Sequence, residues 1–229
     1  KSVSDNSTNF GATTVGGTLT AGATTGNITD TGNLAITGAA VFKTGATGSN
    51  IELDSPGNAF SAAVTLQADD GSEAFGNITF VDSAAIDFAT SASSNGDLFI
   101  NAGTDGAVGG NLSVTATTGN ITDTVALGVT GTSSFTTSAS NATITLDATN
   151  ALASAVTLST TGSSGNATID NGTTALDIAA STVGGNLTLT TGHASGITDS
   201  GNVVVGGNFS ATTDDNNGVI NVGTMQVDG

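Results

Sequence analysis

Two acidic clusters are the first places where this chain could do chemistry. Asp69 and Asp70 lie close to Glu73, and Asp214 and Asp215 run directly into Asn216 and Asn217. Closely spaced carboxylates in turns can hold a hard cation through oxygen ligands, which makes these five acids candidate Ca²⁺ ligands. Neither cluster has the Gly-Gly-x-Gly-x-Asp register or the spacing of an EF-hand loop, so a solvated acidic turn is the expected state of each, with no cofactor required.

His193 is the sole histidine, in Thr190-Thr191-Gly192-His193-Ala194-Ser195-Gly196. Earlier cycles of the same pattern read Thr-Thr-Gly-Asn there, so a solvent-facing turn residue is expected. Serine and aspartate are so frequent that a Ser-His-Asp triad could be drawn almost anywhere, and such a triad carries no weight. Asp54, Asp82, Asp87 and Asp177 could in principle pair as the carboxylates of a sugar-cleaving site. A lyase would also need a basic residue, and the chain offers no Arg and only Lys1 and Lys43. Asp87 and Asp177 also occupy equivalent places in a duplicated motif, as scaffold positions do. No catalytic residue is assigned, and no enzymatic activity is expected.

The steps Thr18/Thr20, Thr143/Thr145 and Thr188/Thr190 raise an ice-binding reading, because a flat array of threonines can match a lattice. Their uneven spacing along the chain argues against such an array, and Thr is in any case a favoured outward residue of strands. Ten Asn-x-Ser/Thr sequons are present, Asn27, Asn120 and Asn186 among them. In a chain this rich in Asn and Thr many arise by chance, and glycosylation is not predicted from them.

The scaffold that must carry these residues is unusual in composition. Of 229 residues 9% are charged, and 19 acids against 2 lysines give a net charge of −17. Tracking a nucleic-acid backbone takes several Lys or Arg, so nucleic acid is excluded as a partner. With no Cys there is neither a disulfide framework nor a thiolate metal site. No apolar run approaches the ~18 residues of a membrane span, so membrane insertion is not expected. The first ten residues lack the apolar core of a signal peptide, and the chain reads as a segment of something longer.

Hydrophobic residues make up 37% of the chain and are not scattered. They alternate with polar ones in Asn111-Leu112-Ser113-Val114-Thr115, in Ala142-Thr143-Ile144-Thr145-Leu146 and in Asn186-Leu187-Thr188-Leu189-Thr190. Period-two runs bounded by Gly, Asn, Asp and Ser predict short half-buried strands, about twenty of them, and no helix. The expected inner column is Leu19, Ile28, Leu34, Val64, Ile78, Ile86, Leu98, Leu112, Ile121, Val156, Leu176, Leu187 and Val203, with Phe42, Phe60, Phe88, Phe135 and Phe209 in wider corners. Asn beside Gly, as at Gly26-Asn27, Gly119-Asn120 and Gly165-Asn166, suits left-handed turns, and stacked asparagines could satisfy one another.

Self-similarity is the stronger signal. Val15-Gly16-Gly17-Thr18-Leu19-Thr20 recurs at Val108 to Ser113 and again at Val183 to Thr188, and Thr24 to Asp30 returns intact at Thr117 to Asp123. Residues 1–14 read as a junction or N-terminal extension, 15–107 as one copy, 108–182 as a second and 183–229 as part of a third. The second copy is shorter, chiefly because the segment after Asp87, with its Asp97-Leu98-Phe99-Ile100-Asn101 strand, has no counterpart after Asp177. A closed sandwich could hardly lose a strand without inverting a face, whereas a coil stacked like a spring can drop most of a turn. A β-solenoid of roughly ten coils is expected, and tandem immunoglobulin-like sandwiches are disfavoured by the lack of any Trp, Tyr or Cys signature.

The order of submotifs from Val108 through Asn186 resembles the repeat regions of giant secreted bacterial surface proteins of the filamentous-haemagglutinin type. The likeness extends from about Val15 to Val222. It implies a right-handed parallel β-helix shaft in a large exported protein of the bacterial surface or extracellular matrix, used for adhesion, biofilm cohesion or a surface layer. Its partners would be adjoining repeats or other copies of itself. The alternative is a calcium-bridged or glycan-binding adhesin module, in which acidic turns rather than the shaft carry the function.

Overall fold

The computed structural model describes residues 1–68, 76–89, 97–100 and 107–229. It is all-β, with thirty short strands and no helix among the described residues. The strands pair in parallel and wind as a β-solenoid of about nine turns, in line with the roughly ten coils expected. At the usual ~4.8 Å between paired strands the stack is about 43 Å long.

Alternation explains the strands. In Leu112–Ala116 the side chains of Leu112, Val114 and Ala116 point into the coil while Ser113 and Thr115 are half-buried on the outside. Every residue of the expected inner column is buried, as are Phe42, Phe60, Phe88 and Phe135, while Phe209 is only partly covered. A small residue sits between large ones at two places in the inner columns, Ala40 between Leu19 and Val64 and Ala167 between Ile144 and Leu187, whereas Ile28, Ile51, Ile78 and Leu112 stack large on large. The lower coils add interlocked aromatics: Phe10 meets Phe42 edge-on at 6.1 Å, Phe42 meets Phe60 at 6.0 Å, and Phe60 lies 5.1 Å from Phe80. Phe10 and Phe80 are core residues that the alternation alone did not single out.

The stack begins before Val15. Strand Ser2–Asp5 pairs with Leu19–Ala23, Thr8–Phe10 with Ile28–Asp30, and Thr13–Val15 with Leu34–Ile36, so the residues before the first Val-Gly-Gly already form a coil.

The repeats do not stack like on like throughout. Leu19–Ala23, Ala40–Thr44 and Val64–Ala68 follow one another in one column, and Ile28–Asp30, Ile51–Leu53 and Ile78–Asp82 in another. Leu112–Ala116, the repeat counterpart of Leu19–Ala23, instead continues the second column, with Leu112 opposite Ile78. Leu187–Thr191 is displaced once more and pairs with Ala167–Asp170, in the column of Ile121–Asp123 and Ile144–Leu146. The second displacement has a simple cause. Nine strands starting at Leu112 would complete three turns, and a tenth, Ser181–Val183, precedes the next Val-Gly-Gly and advances the pattern by one face. In the lower copy Asp97–Ile100 is a strand, as expected, and bridges Val64–Ala68 and Ile86–Phe88.

The glycines before asparagine are explained by close approach, not by turn conformation. Gly26, Gly119 and Gly165 are not left-handed; Gly48, Gly162, Gly172 and Gly196 are, together with Asn141 and Thr149. A Cβ on Gly110 would collide with the Gly76 carbonyl oxygen, and one on Gly131 with that of Gly110. Stacked backbones touch there, and only hydrogen fits.

Candidate functional site

The residues singled out as candidate ligands are not brought together. Asp69, Asp70 and Glu73 lie outside the described residues. Asp214 is exposed, and its amide donates to the Thr191 carbonyl across the coils at 2.9 Å. Asp215 closes its own turn, its carboxylate accepting the Asn217 amide at 2.8 Å and its carbonyl the Gly218 amide at 3.1 Å. Among the described residues no group of three or more His, Asp or Glu is placed to hold a metal ion. His193 is half-buried in its turn, its Nδ1 accepting the Ser195 amide at 3.0 Å and its carbonyl the Gly196 amide at 2.8 Å. Asp87 accepts the Thr122 hydroxyl at 3.0 Å and so serves the stack as well, whereas Asp54 is exposed and contributes only its backbone amide, to Asp30.

The chain's polar side chains converge instead on the corners between coils. One set is a relay of asparagines that open strands. The Asn27 side-chain oxygen accepts the Asn50 amide at 2.9 Å, Asn50 that of Asn77 at 2.8 Å, Asn77 that of Asn111 at 2.9 Å, and Asn111 that of Thr132 at 2.9 Å. The relay resumes higher up, with Asn166 accepting from Asn186 and Asn186 from Asn208, both at 2.8 Å. Stacked asparagines do satisfy the stack, but through backbone amides of the next coil and not through amide-to-amide side-chain contact.

The second set is built on the tripeptide Ile-Thr-Asp. In Ile28–Asp30 the Asp30 carboxylate is buried and takes the amides of Asp54 at 2.9 Å and Ser55 at 3.2 Å, together with Asn58 Nδ2 at 2.7 Å. Asn58 in turn accepts the Leu34 amide at 2.8 Å. Ile121–Asp123 repeats the arrangement: Asp123 takes the amides of Asp147 at 2.9 Å and Ala148 at 3.4 Å and Asn150 Nδ2 at 2.7 Å, and Asn150 accepts the Leu127 amide at 2.7 Å. Ile197–Asp199 supplies a third, half-buried version, in which Asp199 takes the amides of Gly223 at 2.9 Å and Thr224 at 2.7 Å and the Thr224 hydroxyl at 2.6 Å.

Two further residues fill the Asn58 position by other means. Asp82 accepts the Phe60 amide at 3.1 Å. Asn171, fully buried, accepts the Leu152 amide at 2.8 Å and donates to the carbonyls of Leu152, Thr174 and Ala175. Each of these groups satisfies buried backbone where the chain turns and a strand ladder cannot.

Burial and hydrogen bonding pull the proton affinity of three of these acids in different directions. Desolvation pushes the Asp82 and Asp123 carboxyls above the usual carboxylate range, against the opposing pull of their hydrogen bonds. At Asp199, which is only half-buried, the Thr224 hydroxyl bond holds the carboxyl below that range. Such groups fix one coil over the next. They present no nucleophile beside a base and no carboxylate pair facing a cleft.

The duplicated heptapeptide Thr24 to Asp30 and Thr117 to Asp123 already contained the signal for the capping acids. What sequence could not supply is the partner, which lies some 24 residues away at a place set by coil register.

A family model described as repeats of unknown function (DUF5649) matches the chain at residues 1–67, 75–159 and 164–224. No curated protein and no solved structure matches it.

Proposed function

Since the chain belongs to the DUF5649 family of repeats of unknown function, we propose that its task is architectural: a β-solenoid shaft segment of an exported bacterial surface or matrix filament. It has no catalytic role in this reading and no resident cofactor. Its partners are further coils of the same kind, from adjoining repeats or from another copy, and its outer faces display Ser, Thr, Asn and Asp to matrix or host glycans.

One observation carries the proposal. The coil of Ile220–Asn221 and Met225–Val227 is built like those beneath it but leaves its apolar side chains uncovered. Ile197 and Val205 are fully buried, while Ile220 and Val227, paired directly above them, are 45% and 42% exposed. These side chains are aimed into a core that stops, beside strand edges with unused backbone hydrogen bonds. Coil-on-coil stacking is the molecule's own internal interface, so a further coil is the occupant that fits. The resemblance to filamentous-haemagglutinin repeats supports placing the shaft outside the cell.

Sedimentation and electron microscopy of the purified chain test this. Association along the rod axis that grows with concentration is expected, and Ile220→Asp with Val227→Asp should abolish it. A wild-type chain that stays monomeric and monodisperse at high concentration would overturn the docking of separate copies.

A further inference from the structure

Sequence spacing argued against a flat threonine array, yet coil register assembles one. Thr122 is paired with Thr145, Thr145 with Thr168, Thr168 with Thr188 and Thr188 with Ser210. All five are outward residues, half-buried from Thr122 to Thr188 and exposed at Ser210. They are 23, 23, 20 and 22 residues apart along the chain, and the turns absorb the difference. The hydroxyls therefore recur at one strand spacing, about 4.8 Å, however unequal the coils. In the upper coils the rank has a second file two residues on, about 6.6 Å along the strand, where Thr190 and Thr212 stand in register beside Thr188 and Ser210.

Three properties of this face bear on what it would hold. Its residues are β-branched at every position but Ser210, so each presents a hydroxyl and a methyl in a restricted set of rotamers. No charged side chain interrupts the file from Thr145 to Ser210, in a chain that carries 19 acids; Thr122, below them, gives its hydroxyl to the Asp87 carboxylate, and Asp170 is displaced into the second file. Aromatic platforms, which bind sugar rings by stacking, are missing from it, since the chain has no Trp or Tyr and Phe209 faces inward.

A neutral rank of hydroxyls and methyls at a fixed interval orders the water above it at that same interval. The geometry points to ordered water itself as the ligand: the face formed by Thr145, Thr168, Thr188 and Ser210, with Thr190 and Thr212, is an ice-binding surface. It binds a growing ice face through its periodicity, independently of whether the rod docks end to end.

Thermal hysteresis and inhibition of ice recrystallisation by the full chain are the test, with Thr145→Lys/Thr168→Lys as the disrupting variant and Thr157→Lys, an outward residue of another column, as the control. Far-UV circular dichroism confirms that each variant keeps its β-structure. Measurable hysteresis in the wild type and the control is expected, with at least a tenfold loss in the double variant. Wild-type protein inactive at millimolar concentration, or a folded double variant as active as wild type, would overturn the assignment. So would retention on insoluble polysaccharide without any effect on ice.

Discussion

Asp123 and Asp199 end the same tripeptide, Ile-Thr-Asp, and do the same work, accepting amides from the coil above. Their surroundings differ. Asp123 sits mid-stack, 7% exposed, sharing its second oxygen with Asn150, and burial raises its affinity for a proton. Asp199 is half-buried beneath Gly223 and Thr224, where a threonine hydroxyl replaces the asparagine and the proton is held less tightly than usual. Position in the stack, not local sequence, therefore decides whether a capping acid is a stressed buried group or a relaxed surface one. The interior corner has more to lose.

The largest effect is expected from removing the residue that distinguishes the two corners. Asn150→Ala leaves the Leu127 amide without its acceptor, takes a donor from Asp123 and opens a small cavity, with a cost of about 3–4 kcal/mol. Denaturant unfolding measures the total, and hydrogen exchange at the Leu127 amide should accelerate first, since a solenoid can open locally. Protection at Leu127 equal to wild type would show that Asn150 is not the corner's keystone.

Next in size is the contrast between the acids themselves. Asp123→Ala orphans two amides and Asn150 Nδ2 in a buried site and should cost about 2–3 kcal/mol, whereas Asp199→Ala, whose amides can turn to water, should cost under about 1 kcal/mol. Equal losses in paired unfolding experiments would mean that depth in the stack does not matter.

The pH dependence of stability should run in opposite directions at the two corners. Asp123 binds its proton more tightly folded than unfolded, so its contribution to stability grows as pH falls from neutral through its raised folded value toward 3.8, and Asp82 acts likewise. Asp199 binds its proton more weakly folded, so what it contributes is present above 3.8 and is lost as pH falls below that value. Relative to wild type, Asp123→Asn should lose part of the gain between neutral pH and about pH 4. Asp199→Asn should differ from wild type mainly in losing less below that. Parallel profiles for both variants would refute the opposition.

The ease of reading this molecule from its sequence follows the range of the interaction concerned. Alternation is local, so Leu112, Ile121, Val156 and Leu187 were legible as inner residues from their neighbours alone. The Asp97–Ile100 strand was legible too, because its counterpart is missing from the shorter copy. Pairing register is not local. It depends on turns whose lengths vary and on Ser181–Val183, one strand more than whole turns require. Asp30 and Asp123 therefore looked like strand ends in a repeated heptapeptide, and the uneven Thr-x-Thr spacing looked incompatible with an array. The need for glycine at Gly110 is equally non-local, since it is set by Gly76 and Gly131 stacked below and above it.

The smallest expected effect isolates the cause of the difference at the exposed corner. Thr224→Val keeps the shape of the side chain and the amide bond to Asp199 but removes the hydroxyl, the strongest influence on that carboxyl. Stability should change by no more than about 0.5–1 kcal/mol, since water can replace the donor. The Asp199 titration, followed by NMR at its side-chain carbon, should move upward toward the ordinary carboxylate range. Asp123, bonded to other residues, should titrate as before. If Asp199 does not move, its backbone amides alone hold the proton affinity down, and the exposed corner differs from the buried one only in solvation.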